Sequence, residues 1–204
     1  MGTVNYRRHF AALVLAAGAL VLLEATGHRG AVDDHLYYGV VGLLHSACWI
    51  AGLPRRASWI RRLVFVTAAT IVSVAIPYLA LVVDYAVGYV FAVLPFEIPP
   101  GPRVALFFLF GIGSAVGSFG YWRLIRAVWM PRLRWQSTAL TVGMCVAATL
   151  VSLFIVTFAG LGENRSLLYL PTVSWWFAFS VSLWLASRQP NRFATGDWRL
   201  TTSG

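Results

Sequence analysis

Long apolar runs alternate with short polar breaks along this chain, and the runs are close to the length that a membrane demands. A helix needs roughly 20 apolar residues to cross the ~30 Å hydrocarbon core. Six stretches approach or reach it: residues 9–24, 36–53, 63–83, 104–125, 137–160 and 168–187. Pro54 stops the second, and Pro77 inside the third predicts a kink. The pattern predicts an all-α integral membrane protein, a six-transmembrane-helix bundle forming a single domain over residues 1–187, followed by a tail of residues 188–204.

Residues 84–103, DYAVGYVFAVLPFEIPPGPR, do not fit this alternation. The first half is apolar enough for half a span, and Pro95, Pro99, Pro100 and Pro102 halt a helix before it crosses. An extracytoplasmic interfacial helix or re-entrant segment between the third and fourth spans is predicted, a candidate lid or docking surface.

Charge supplies the orientation. All 16 basic residues are arginine, and 13 fall in four clusters: Arg7 and Arg8; Arg55, Arg56, Arg61 and Arg62; Arg123, Arg126, Arg132 and Arg134; and Arg188, Arg192 and Arg199. Arg29, Arg103 and Arg165 occupy the alternate breaks with Asp33, Asp34, Asp84, Glu97 and Glu163. Cytoplasmic loops keep their arginines, so the clusters and both termini are expected in the cytoplasm. A seventh crossing at residues 84–103 would carry the third cluster outside. Trp59, Trp122, Trp129 and Trp135 beside the clusters, and Tyr37, Tyr38, Tyr85, Tyr89 and Tyr169 near the other ends, suit the two headgroup levels.

At 59% hydrophobic and 11% charged residues, the composition is far from the roughly 25% charged of soluble domains. The net charge of +9 lies on short loops beside apolar spans, which makes the lipid bilayer the partner, with anionic lipids at the arginine clusters. No basic groove or RNA-reading motif is legible, so nucleic acid is not expected. The expected location is the inner (cytoplasmic) membrane of a bacterium. The first apolar run leads into a second span without a small-residue cleavage site and reads as a retained helix. The absence of lysine excludes Schiff-base chemistry.

Polar groups within the apolar stretches are the candidates for chemistry. His45 and Cys48 share one helical face, and Met144 and Cys145 lie on the fifth span. At 1.5 Å per residue the two cysteines fall ~12 Å above the cytoplasmic boundary, so the four residues would meet if spans two and five were adjacent. They would form a soft set suited to Cu(I) or thiol redox work. The weightier alternative is that the cysteines act as small apolar residues while His45 hydrogen-bonds across helices. His9, His28 and His35 lie at or beyond the boundaries, which leaves no second mid-span histidine for haem.

Ligand-binding candidates are Trp175 and Trp176 on the sixth span, which with Ser174, Ser180 and Ser182 suit a planar or cationic ligand, and Glu24 and Asp84, the acids nearest the hydrocarbon edge. Gly113 and Gly117 form a small-xxx-small pair for helix packing, with Ser114 and Ser118 alongside, and no base is at hand to make those serines proteolytic. Ala12 and Ala16 repeat the small-residue spacing on the first span.

Phosphate-binding loops, paired-histidine zinc motifs and nucleophile elbows are missing, which leans away from an enzyme. The leading expectation is a small-solute transport component, either substrate-binding or permease-like. This outline is similar to the substrate-capturing subunits of energy-coupling transporters, whose first helix commonly docks a partner through small residues; the resemblance implies that role for Ala12 and Ala16. A non-catalytic accessory or scaffold subunit, with a protein partner or as a homo-oligomer, is the alternative. An intramembrane redox or metal-site enzyme using His45, Cys48 and Cys145 is third.

Overall fold

The computed structural model describes residues 4–25, 34–54, 58–93, 102–131, 135–158 and 169–188, and all their regular structure is helical. Six helices follow one another: α1 Tyr6–Ala25, α2 Asp34–Gly52, α3 Trp59–Val93, α4 Pro102–Val128, α5 Gln136–Phe158 and α6 Leu170–Arg188. Local chemistry sets their ends. Asn5 caps α1, its Oδ1 accepting the Arg8 backbone N–H at 3.2 Å. Pro102 opens α4 at the position where its missing N–H is not needed. The tail beyond Arg188 lies outside the described residues.

The third helix corrects one expectation. Its 35 residues run through Pro77 and on through Asp84 to Val93, so residues 84–93 prolong α3 and do not begin a separate interfacial or re-entrant segment. The reason is local: DYAVGYVFAV contains no proline, and its one glycine and one acid are not enough to end a helix. At 1.5 Å per residue α3 is about 52 Å long. Residues 94–101, which hold three of the four prolines, lie outside the described residues.

Consecutive helices pack side by side and α6 returns to α1, so the bundle is a closed ring. Neighbours are antiparallel. The Asn5 N–H donates to the Gly52 carbonyl at 2.7 Å, tying the start of α1 to the end of α2. The Tyr6 hydroxyl donates to the Leu183 carbonyl near the end of α6, and Trp122 Nε1 donates to Ser137 Oγ between α4 and α5. One end of the ring therefore collects Arg7, Arg8, Arg61, Arg62, Arg123, Arg126 and Arg188. Indoles cover several of these guanidinium groups: Arg126 lies 5.3 Å from the Trp122 ring centre and 5.0 Å from that of Trp135, and Arg188 lies 4.2 Å from that of Trp184.

The bundle turns its polar side chains inward. Along α5 the buried positions include Ser137, Thr141, Cys145, Thr149 and Ser152, one per helical turn. Leu140, Val151, Phe154, Ile155 and Phe158 of the same helix are exposed. On α1, Leu15 is 75% exposed while His9 is fully buried. Many inward hydroxyls return to their own helix, as Ser46 does to the Gly42 carbonyl at 2.6 Å and Thr141 to the Ser137 carbonyl at 2.8 Å. Among the described residues two segments are long and apolar enough to cross a membrane, Trp59–Ile76 and Gln136–Phe158.

Close approach of α2 and α3 depends on a glycine. A Cβ at Gly42 would lie 2.7 Å from Ser73 Cβ and 3.1 Å from Thr70 Cα, so a backbone would have to move. Gly42→Ala is expected to lower unfolding stability by about 1–3 kcal/mol, the usual range for overpacking. Gly18 has nothing within 4 Å of its Cβ position, so Gly18→Ala should leave stability unchanged or slightly higher. Thermal unfolding of the two variants side by side checks this, and equal midpoints would contradict it.

Candidate functional site

Toward the arginine-bearing end the ring's axis is filled by Trp49, Phe65, Trp122, Ile125, Phe179 and Leu183. In the other half the axis is hollow, with a cavity of about 380 Å³ between α2, α3, α4, α5 and α6. That volume lies within the range of small-molecule sites. Tyr38 and Val41 of α2, Ser73 and Ile76 of α3, and Thr149 of α5 contribute wall, while α4 presents Gly113, Ser114, Gly117 and Tyr121. Trp175 and Trp176 of α6 complete it near the floor.

Sequence explains why space remains there. At Gly117 a Cβ would stand 2.9 Å from Ile76 Cδ1 and 3.6 Å from Trp175 Cζ2, so a side chain at this position would compete with the indole for the axis. Trp175 uses that freedom to reach α4: its Nε1 donates to Ser118 Oγ at 2.9 Å and, more weakly, to the Ser114 carbonyl at 3.3 Å. Trp175 stacks on Phe179 at 5.2 Å between ring centres and 13° between planes, and Tyr121 meets Trp175 edge-on at 5.5 Å.

Hydroxyl pairing on the wall follows from counting hydrogens. The Tyr121 hydroxyl donates to the Ala69 carbonyl at 3.0 Å, which uses its only hydrogen. The 2.6 Å contact between Ser73 Oγ and Tyr121 Oη is therefore donated by Ser73. Thr149 Oγ1 donates to Ser114 Oγ at 3.1 Å. No charged or imidazole side chain is among the described residues that line the cavity.

The other candidates are distributed differently. Cys48 packs with Leu13, Leu20, Tyr37 and Trp176, whereas Cys145 belongs to the axial cluster with Trp49 and Phe65. Helices α2 and α5 are not neighbours in the ring, so His45, Cys48, Met144 and Cys145 are not brought together. Cys48 Sγ donates to the Leu44 carbonyl at 3.1 Å, and both thiols are free and buried. Among the described residues no group of three or more His, Cys, Asp or Glu could hold a metal. The side chains of Glu24 and Asp84 lie outside those described, although both residues are helical. Ala16 is 8% exposed, and Ala12 packs against the same interhelix cluster, so this pair faces the bundle's own core.

His45 is fully buried and encased by rings. Trp176 stacks on it at 5.5 Å and 5°, with Tyr121 at 5.0 Å and Trp175 at 5.3 Å. Among the described residues neither ring nitrogen has a hydrogen-bond partner. His9, placed at a span boundary by the sequence, is instead a three-helix tie. Its Nδ1 lies 2.9 Å from the Cys48 carbonyl, which can only accept, so Nδ1 carries a proton; in the neutral ring Nε2 then accepts from Ser180 Oγ at 2.8 Å. The signal was present in the helical period: His9, Leu13, Ala16 and Leu20 fall on one face, and all four are buried.

No protein-family model, curated protein or solved structure matches this chain.

The two histidines should respond oppositely to substitution. His9→Leu leaves the Ser180 hydroxyl without its acceptor and should lower unfolding stability by about 1–3 kcal/mol. His45→Phe removes two unpaired nitrogens from an aromatic enclosure and should leave stability at or above that of the parent. Denaturant unfolding of both variants checks this, and a larger loss at His45 than at His9 would contradict it.

Proposed function

We propose that this chain is a six-span protein of the bacterial inner membrane that binds a small solute in its axial cavity, as a substrate-binding or permease-like component of transport. The membrane part of this reading is supported by the inverted polarity of the helices, apolar outward and hydroxyl inward. That is the arrangement favoured where hydrocarbon surrounds a bundle and polar side chains find partners only inside. Its orientation is supported by the arginines gathered at one end of the ring, the end assigned to the cytoplasm and its anionic lipids. The cavity then lies in the extracytoplasmic half of a single six-helix domain whose tail is cytoplasmic.

The observation that carries the functional part is the division of the axis. One half holds an uncharged cavity of about 380 Å³ walled by aromatic rings and hydroxyls, and the other is closed by packed Trp49, Phe65, Trp122 and Phe179. A one-sided cavity over an aromatic plug suits capture of a solute from outside and does not provide an open pore.

A second reading, an accessory subunit docking another protein, draws on the length of α3. Tyr85 and Tyr89, 78% and 73% exposed, lie on the part of this helix that exceeds a ~30 Å core.

Thermal unfolding in lipid nanodiscs against a panel of small solutes separates the two. Solute binding predicts a raised midpoint that Trp175→Ala removes; a rise only with another polypeptide would favour the accessory reading. The topology has its own test in a Cys48→Ser, Cys145→Ser background. A membrane-impermeant maleimide applied to intact spheroplasts should label Arg165→Cys and spare Arg134→Cys, and the reverse pattern would invert the orientation.

A further inference from the structure

The outer face of the ring carries a second recess, between the first turns of α3 and the last turn of α4. We infer that it seats one anionic phospholipid, with the phosphate on the Arg61 guanidinium and the start of an acyl chain between Ile60, Val64 and Val128. The inference rests on the membrane reading above and is independent of the axial cavity.

The recess is about 290 Å³ and is lined by Ile60, Arg61, Val64, Ala127 and Val128. Ile60 and Val64 are 55% and 54% exposed, so it opens on the outside of the bundle and not toward the axis. Ala127, also exposed, is the smallest residue of the lining and leaves the α4 wall low.

Polarity changes along the recess in the direction of the helices. The antiparallel register of α3 and α4 holds steady here: a Cβ on Gly120 would lie 3.4 Å from Val72, and Phe65 meets the Trp129 ring at 5.8 Å. Val64 and Val128 therefore stand at about one level. Arg61 lies three residues nearer the arginine-bearing end than Val64, ~4.5 Å at 1.5 Å per residue. A cation at the outer end with branched apolar side chains beneath it matches a phosphate above its acyl chain. A free anion would use only the first.

Charge selects the headgroup. Arg62 donates to the Pro54 carbonyl at 3.1 Å, and Arg123, Arg126 and Arg188 lie over indole rings. Arg61 has no hydrogen bond, ion pair or ring contact with any described residue. Among the described residues this end holds no carboxylate, since Glu24, Asp34 and Asp84 belong to the other half of the bundle. A counter-charge for Arg61 is therefore not built into the described fold, and a guanidinium fork suits phosphate oxygens. Basic recesses between membrane helices take anionic headgroups by this means. A zwitterionic lipid would bring an ammonium among the same arginines, which disfavours it.

Native mass spectrometry of the full chain, delipidated in neutral detergent and titrated with dioleoylphosphatidylglycerol, tests this. One lipid is expected to be retained, about tenfold more tightly than dioleoylphosphatidylethanolamine, and glycerol phosphate is not expected to compete. Arg61→Gln should weaken phosphatidylglycerol about tenfold and remove the preference; Arg8→Gln, on α1, which packs against α2 and α6, should do neither. Ala127→Leu should weaken both lipids by filling the recess, with each variant's thermal midpoint reporting that it folds. Equal losses at Arg8 and Arg61 would reduce the site to diffuse surface charge and overturn the inference, as would competition by glycerol phosphate or equal retention of the two lipids. A chain that fractionates with membranes yet retains no phosphatidylglycerol would contradict this inference alone. A chain recovered soluble without detergent would remove the membrane reading with it.

Discussion

Helices that are apolar over their outer surfaces gain little direction from burying more apolar surface, so the contacts that decide which face turns inward are the polar and small ones. In this chain those contacts are consistent from helix to helix. α5 directs Ser137, Thr141, Thr149 and Ser152 inward, and α4 directs Ser114 and Ser118. His9 joins α1 to α2 and α6 at once through the Cys48 carbonyl and Ser180. Single hydrogen bonds of this kind contribute only about 0.6 kcal/mol on average between membrane helices. Their effect lies in fixing rotation: a helix turned by half a turn would leave each of these groups in hydrocarbon, on the membrane reading proposed above.

Once rotation is set, side-chain volume divides the axis. Trp49, Phe65, Trp122 and Phe179 fill the half near the arginines, while the other half meets Gly113 and Gly117 on α4 and stays open. Gly42 and Gly117 do different things. Gly42 lets the α2 and α3 backbones approach, whereas Gly117 yields space to the Trp175 indole, which crosses to Ser118. The cavity is thus a consequence of where large and small residues alternate across the axis.

Much of the helical layout was legible because apolar runs have a length and arginines have a side. The bounds of α2 and α5 depart from the apolar stretches by one or two residues. The extension of α3 through Asp84 is not legible in the pattern, because a charge and a change of composition resemble a boundary without ending a helix. In the candidate site, Trp175, Trp176, Gly113 and Gly117 were visible as residue types, and the cavity places them together. Ser73, Tyr121 and Thr149 were not visible, because their part depends on which helices face one another across the axis. The sequence pattern contains no term for that. The separation of Cys48 from Cys145 has the same origin, since equal depth in two helices implies contact only if the helices are neighbours.

The central claim is a cavity open to solute from the extracytoplasmic half and closed beneath by an aromatic plug. Accessibility of single cysteines to an uncharged, membrane-impermeant methanethiosulfonate in intact spheroplasts tests it most directly, again without Cys48 and Cys145. The account predicts rapid modification of Val41→Cys, on the cavity wall, and none of Leu183→Cys, in the plug. Modification of Leu183→Cys from that side, or protection of Val41→Cys, would contradict it.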